Sequence, residues 1–469
     1  MSDPVKVIRV KRKRLIHVCN DFVNLGACYP RGGYPKHLVF ASACFTLRGP
    51  HGRSRLERSE GSDPRVGLSQ DHVLTSTALL RRCPPWSTER YRILTEGVMH
   101  LAVRHLAWLV ALVLVPGRAL PATVKIGAAL SMTGDAAVYG ATQRSGILLA
   151  VEEINKSGDL KGVKLEAIVE DDGSSKEQGI NVFQRFINRD RVSAIIGPTL
   201  STTATAADPL AQAARVPVLA VSNTSPKGIT DIGNYVWRVS LTEQQVIPGA
   251  LKRAKDKLGF KTAAVLYGND DVFTKAGYDV MKRALDEQGV KILGTQTFAK
   301  RDRDYNAQIT ALKALSPDIL MVSALAENAS SIAIQARQLG YSGPIMGGNG
   351  FNSPAFIKNA GPAAEGVLVG TSWNSASPDP VNQRFIAAMR ARGTDPDQFA
   401  AQAYTGVYVI AEAIKLAGNK GGRDDVVAGF AKVKDLPTPL GRFSFTSTRD
   451  GQHEPALQQV KGGKFVIVQ

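Results

Sequence analysis

The stretch SAIIGPTLSTTATAADPLAQAARVPVLAVSNTSP, Ser193 to Pro226, decides the fold. Ala194 to Ile196 is a short apolar run stopped by Gly197-Pro198, and Ser201 to Arg215 has helical spacing. Val216 to Val221 is a second apolar run, ended by a Ser/Thr/Asn turn before Pro226. Short strands that are apolar on both faces, joined through a helix, belong to a parallel sheet covered on both sides.

The same rhythm extends in both directions. Upstream, Val124 to Leu130 reads as a strand, and Gly140 to Lys156 as a helix with Ile147, Ala150, Val151 and Ile154 on one face. Lys164 to Glu170 alternates as a strand, and Lys176 to Arg189 reads as a helix. Downstream the pattern restarts, with helices at 244–258, 274–288, 305–314 and 330–339 and strands at 262–267, 290–298, 319–322, 344–347 and 366–370. Helices at 380–392, 398–416 and 424–433 follow, then short strands at 441–445, 456–460 and 465–468. Two similar α/β halves predict two lobes. Such sheets bind ligands beyond the carboxyl ends of their strands, which makes a cleft between lobes the expected site.

The first fifth of the chain has a different character. All four cysteines, Cys19, Cys28, Cys44 and Cys83, lie there, at spacings that match no zinc motif. Before Met99 there are 17 Lys plus Arg against 8 Asp plus Glu, roughly half of the net charge of +17. The remainder is mildly basic with signs mixed, which describes a solvated surface and not a nucleic-acid site. Met99 to Ala122, MHLAVRHLAWLVALVLVPGRALPA, carries the basic start, apolar run and small terminal residues of an export signal. Its apolar run, Leu106 to Val115, is too short to span a bilayer. Residues 1–98 lack sustained periodicity. They are either a disordered extension or upstream sequence translated from too early a start. The second reading is preferred, because an export signal normally sits at the true N-terminus.

The order of motifs after Thr123 resembles the periplasmic binding proteins of the leucine/isoleucine/valine type, the solute-capturing subunits of ABC importers. Its carriers are KIGAALSMTGDAAVYGATQRSGILLAVEEIN (125–155), LEAIVEDDGSSKEQGINVFQRFI (165–187) and the opening stretch. The fold this implies is α/β, with two doubly wound parallel-sheet lobes joined by a three-strand hinge, as in type I periplasmic binding proteins. By resemblance the chain crosses near 241–243, 370–373 and 437–441. One lobe is then 123–242 plus 372–437, and the other 243–371 plus 438–469. The implied function is capture of a branched-chain amino acid, or a related small carboxylate or amide, by lobe closure. The protein is expected to be a periplasmic monomer that delivers its solute to a membrane permease, with no cofactor, metal or nucleic acid.

Ser201 follows a strand and a Gly-Pro turn and opens a helix, where free N–H groups favour an anion. An ordinary N-cap uses serine in the same place. The resemblance favours carboxylate binding by Ser201, joined by Ser222 and Thr224 at the next strand end. A turn before Pro226 would use those two residues as well. Tyr139 matches an aromatic position at the cleft mouth, or else packs beneath the first helix. Trp373 and Tyr404 either line the pocket or serve as core.

The family's amino-acid binders place an acid where this chain has Asn349, and an aromatic where it has Leu325. Carboxylate recognition is therefore expected to persist while ammonium recognition is in question. The acids left are Glu243, Asp270, Asp271 and Glu327. Glu243 aligns with an acidic ligand contact, and each has the alternative of a solvated loop carboxylate. A ligand-sensing receptor domain of the same fold is the nearer competing reading. Catalysis finds little support, because the part after Cys83 has no cysteine and only His453 follows the export signal. No phosphate-binding glycine motif is present either.

Overall fold

The computed structural model describes residues 121–468. The expected export signal and the segment before it lie outside the described residues, except that Ala122 already opens the first strand.

The first half builds β1 (Ala122–Leu130), α1 (Ala137–Ser157), β2 (Val163–Asp171), α2 (Lys176–Arg185), β3 (Ala194–Ile196), α3 (Ser201–Ala213), β4 (Val218–Ala220) and β5 (Val236–Arg238). These strands form one parallel sheet in the order β2-β1-β3-β4-β5. The order reverses between β1 and β3, which opens a crevice beyond their carboxyl ends. β3, β4 and β5 are wholly buried, as their unbroken apolar runs require.

The second half builds α4 (Glu243–Leu258), β6 (Thr262–Gly268), α5 (Val272–Glu287), β7 (Lys291–Phe298), α6 (Asn306–Ala314), β8 (Ile319–Ser323), α7 (Ala326–Gln338), β9 (Ile345–Gly347), α8 (Pro354–Ala360) and β10 (Leu368–Thr371). The chain then returns to the first half through α9 (Pro380–Ala391), α10 (Gln398–Leu416) and α11 (Arg423–Phe430). Phe385, Val407, Ile410 and Phe430 share one core with Ile126, Leu130 and Ile147 of β1 and α1. β11 (Leu436–Thr438), β12 (Gly441–Phe445) and β13 (Gly451–Gln452) make a small antiparallel sheet. β14 (Ala456–Lys461) and β15 (Lys464–Ile467) complete the second sheet, ordered β15-β14-β10-β9-β8-β6-β7. β14 and β15 run antiparallel, so that sheet is parallel only through β10.

Several caps fix where helices begin. Thr242 and Gln245 form a capping box that starts α4 immediately after the first passage between lobes. Asp271 and Asp397 cap α5 and α10 by accepting from Thr274 N (3.0 Å) and Ala400 N (2.8 Å). For the third passage we propose a later position than the expected 437–441. Phe445 packs against Trp237, with ring centroids 4.8 Å apart, and Phe443 packs on Phe445 and belongs to the first core. We therefore place that crossing at His453–Pro455, just before β14 enters the second sheet.

Arg238 holds this hairpin to the first sheet. It is fully buried and pairs with Asp450 at 2.7 Å. It also donates to the carbonyls of Asn223 and Ser225 and to Thr230 Oγ1. A buried guanidinium needs all of these acceptors, and the two carbonyls belong to the turn after β4. Removing one member of a buried pair strands the other. Asp450→Ala is accordingly expected to lower the unfolding free energy by about 3–5 kcal/mol. Urea titration checks this, and a loss below about 1 kcal/mol would show that water satisfies Arg238.

Candidate binding cleft between the lobes

The first lobe presents the turn after β3 and the start of α3. Gly197 has φ +102°, and a Cβ there would lie 2.1 Å from Ala129 O, so only glycine fits. Thr199 Oγ1 accepts from Ser131 N (2.9 Å) and donates to Gln143 Oε1 (2.7 Å). Gln143 in turn donates to Ser222 Oγ (2.9 Å), which donates to Thr199 O (2.7 Å). The hydroxyls of Thr199 and Ser222 are thereby committed. Ser201 differs. Leu200 occupies the N-cap position, so Ser201 is the first helical residue and caps nothing. Its side chain is buried and Oγ has no partner within the protein. The first amides of an α-helix have no intrahelical acceptor, so they and this hydroxyl form a donor cluster at the helix's positive end.

The second lobe answers with the ends of β6, β8 and β9. Tyr139 Oη donates to Gly350 O and accepts from Ala326 N, both at 2.6 Å, while its ring lies 4.2 Å from that of Phe399. Burial raises the Tyr139 phenol above its ordinary pKa, so it stays protonated for that bond. Thr202 Oγ1 donates to Asp271 Oδ2 (2.6 Å) and accepts from Val272 N (2.9 Å). Lys300 pairs with Asp135 at 3.0 Å. These contacts draw the lobes together.

Glu243 sits behind this cleft, at the first turn of α4. Its Oε1 accepts from Asn349 Nδ2 (3.1 Å), Asn349 N (3.3 Å) and Thr224 Oγ1 (3.3 Å). Its Oε2 is buried without a partner. Burial pushes the carboxyl up to about 7, against the lowering effect of the Asn349 and Thr224 hydrogen bonds. Asn349 Oδ1 accepts from Gln398 Nε2 (2.9 Å) and Ser372 Oγ (3.1 Å).

Tyr139, Thr199, Leu200, Ser201, Ser222, Thr224, Phe273, Leu325, Asn349, Gly350 and Phe399 line a cavity of about 20 Å³. That is room for about one water, so a solute enters only if the lobes part. No charged residue is in the lining, and Glu243 lies outside it. The expected residues Tyr139, Ser201, Ser222, Thr224 and Asn349 therefore converge, with Glu243 directly behind them.

Trp373 and Tyr404 lie elsewhere. Trp373 Nε1 donates to Asn382 Oδ1 (2.9 Å), and its ring faces a separate, solvent-open hollow of about 600 Å³ beside α9. Tyr404 packs against Phe385 and Tyr408 and donates to Glu153. Both rings serve the first lobe's core. Asp270 accepts from Lys300 N, and Glu327 pairs with Arg303 on the surface. Sequence reading missed Leu200, Phe273 and Phe399. Phe273 and Phe399 each stand two residues after a helix-capping aspartate, Asp271 or Asp397, a signal that could have placed them at the cleft.

Protonation links this site to stability. The folded pKa of Glu243 is raised, so its contribution is present below the ordinary value of 4.5 and lost as pH rises through about 7. His453 acts oppositely: burial lowers it to about 4. Comparison with Glu243→Gln isolates the first effect, because the amide mimics the protonated acid. The unfolding free energy of the variant relative to the parent, from urea titrations, is expected to rise by on the order of 2 kcal/mol between about pH 5 and about 7. A difference independent of pH would contradict the assignment.

Among the described residues no helix is long and apolar enough to cross a membrane, and no group of three His, Cys, Asp or Glu could hold a metal. Residues 123–464 match the family model for periplasmic binding proteins. The leucine-, isoleucine-, valine-, threonine- and alanine-binding protein of Pseudomonas aeruginosa is 30% identical over 330 residues, covering 70% of this chain and 87% of its own length. The solved leucine-binding protein of Thermotoga maritima is similar with a TM-score of 0.69 at 26% identity, covering 74% of this chain and 98% of its own. The branched-chain amino acid transporter substrate-binding protein of Streptococcus pneumoniae, solved in complex with isoleucine, has the same TM-score of 0.69 and 26% identity, covering 74% and 99%. A two-lobed α/β body with an uncharged cleft at the strand ends, matched along nearly all of its described length, places this chain in the periplasmic binding protein family.

Proposed function

We propose that this protein is the extracytoplasmic solute-binding subunit of an ABC importer, and that it captures a small carboxylate-bearing solute by closing its lobes. The observation that carries this reading is the unpartnered, buried Ser201 hydroxyl at the start of α3, facing a cavity built by both lobes. A carboxylate placed there accepts from Ser201 Oγ and from the first amides of α3. Ser222 and Thr224 contribute through their backbone amides, since both hydroxyls already donate to Thr199 O and Glu243. Tyr139, Phe273, Leu325 and Phe399 surround the solute's apolar part.

Binding fits this geometry better than catalysis. A serine nucleophile needs a base within hydrogen-bond reach, and Ser201 Oγ has no partner. The relatives named above are solute-binding proteins. In this reading the closed form is a monomer that docks on a membrane permease, and the chain works outside the cytoplasmic membrane.

A hydrogen bond to a charged group is worth about 1.5–3 kcal/mol, so Ser201→Ala is expected to weaken binding roughly tenfold or more. Calorimetry with the tightest solute from a panel of amino and carboxylic acids measures this. Small-angle scattering of the parent should give a smaller radius of gyration at saturation. Parent-like affinity in Ser201→Ala would move the carboxylate elsewhere, and an unchanged scattering profile would argue against hinge closure.

A further inference from the structure

We propose that the solute is an apolar monocarboxylate that carries no α-ammonium group. The inference rests on the carboxylate reading of the cleft given above, and it follows from how the far wall spends its polar groups.

An ammonium in a closed cleft must be met by acceptors, because an unpaired buried charge is costly. The lining has none with a formal negative charge. Asn349 is the polar residue of the second lobe's wall, and its carboxamide is taken. Its oxygen already receives two donors, Gln398 Nε2 and Ser372 Oγ. Its nitrogen donates to Glu243, and the remaining N–H is again a donor. Turned this way, Asn349 offers a cation repulsion in place of a counter-charge.

The one nearby acid is withdrawn. Glu243 stands behind Asn349 and Thr224, outside the lining, and the groups it meets are Asn349, Thr224 and Gly348. Its free oxygen lies beside Gly348, where an added Cβ would come within 2.7 Å of it. Burial without a cation also favours its neutral form, as noted above. The near wall, by contrast, offers the donor cluster of Ser201 and α3 to an anion. Tyr139, Phe273, Leu325 and Phe399 leave the rest of the cleft apolar. A carboxylate is thus compensated on one side, and nothing on the other side compensates a positive charge.

Matched pairs test this by calorimetry on the full chain. The probes are 4-methylpentanoate against leucine and 3-phenylpropanoate against phenylalanine, with 4-methylpentanamide as an uncharged control. The desamino acids are expected to bind at least about tenfold tighter than their amino acids, and the amide more weakly than its acid. The double variant Glu243→Gln, Asn349→Asp keeps the hydrogen bond with donor and acceptor exchanged and puts an acid on the cleft wall. It should shift preference toward the amino acids.

Amino acids that bind as tightly as their desamino partners, with Ser201→Ala still weakening both, overturn this inference and leave the carboxylate reading standing. So does loss of amino-acid binding in Glu243→Gln. An amide that binds as well as the acid, or binding of neither class, overturns the carboxylate reading and this inference together.

Discussion

The hydrogen bonds to the buried carboxyl of Glu243 govern the rest of this cleft. The residue begins α4 immediately after the first passage between lobes, and its own N–H donates to Thr224 O at 2.9 Å. Its side chain then joins Thr224 of one lobe to Asn349 of the other. An acid buried without a cation tolerates that place only by taking donors from its surroundings. Those donors are the polar groups that would otherwise face a solute. The hinge and the specificity of the cleft are therefore one problem. What secures Glu243 also decides that the far wall carries no charge.

The polar contacts that close the lobes are of a kind that opens again. Thr202 with Asp271, Asp135 with Lys300, and Tyr139 with Gly350 and Ala326 are all polar, and the ion pair is partly exposed. Such bonds are worth little net, because water replaces them at small cost. Two large apolar cores lie within one lobe each, while Ala136, Tyr139, Leu200 and Phe399 of the first lobe pack with Phe273 and Leu325 of the second in a core that the closed form shares.

Much of this was legible in the sequence, and the reason is burial. Runs such as Ala194–Ile196 and Val216–Val221 are apolar because both sheet faces are covered, and helical spacing between them marked the layers. β5, α8, β11 and β13 escaped, since elements of two to seven residues carry no period. Phe443 and Phe445 read as generic strand residues, while the packing of Phe445 on Trp237 and of Phe443 on Phe445 is visible only in three dimensions. At the site, Ser201, Ser222 and Thr224 could be read from strand ends and a helix start. Tyr404 could not be separated from core, because an aromatic on a buried helix face has the same spacing in either role, and Trp373 stands in an irregular segment after β10 that carries no period. The orientation of Asn349 depends on Gln398 and Ser372, which are distant in sequence, and no local pattern encodes it.

The most direct measurement of the central claim is a crystal structure of the protein grown with 3-phenylpropanoate. The account predicts the carboxylate within hydrogen-bonding distance of Ser201 Oγ and the first amides of α3, the phenyl ring among Phe273, Leu325 and Phe399, and Glu243 still bonded to Asn349. A carboxylate seated against Asn349, or a ligand lodged instead in the hollow beside Trp373, would contradict it.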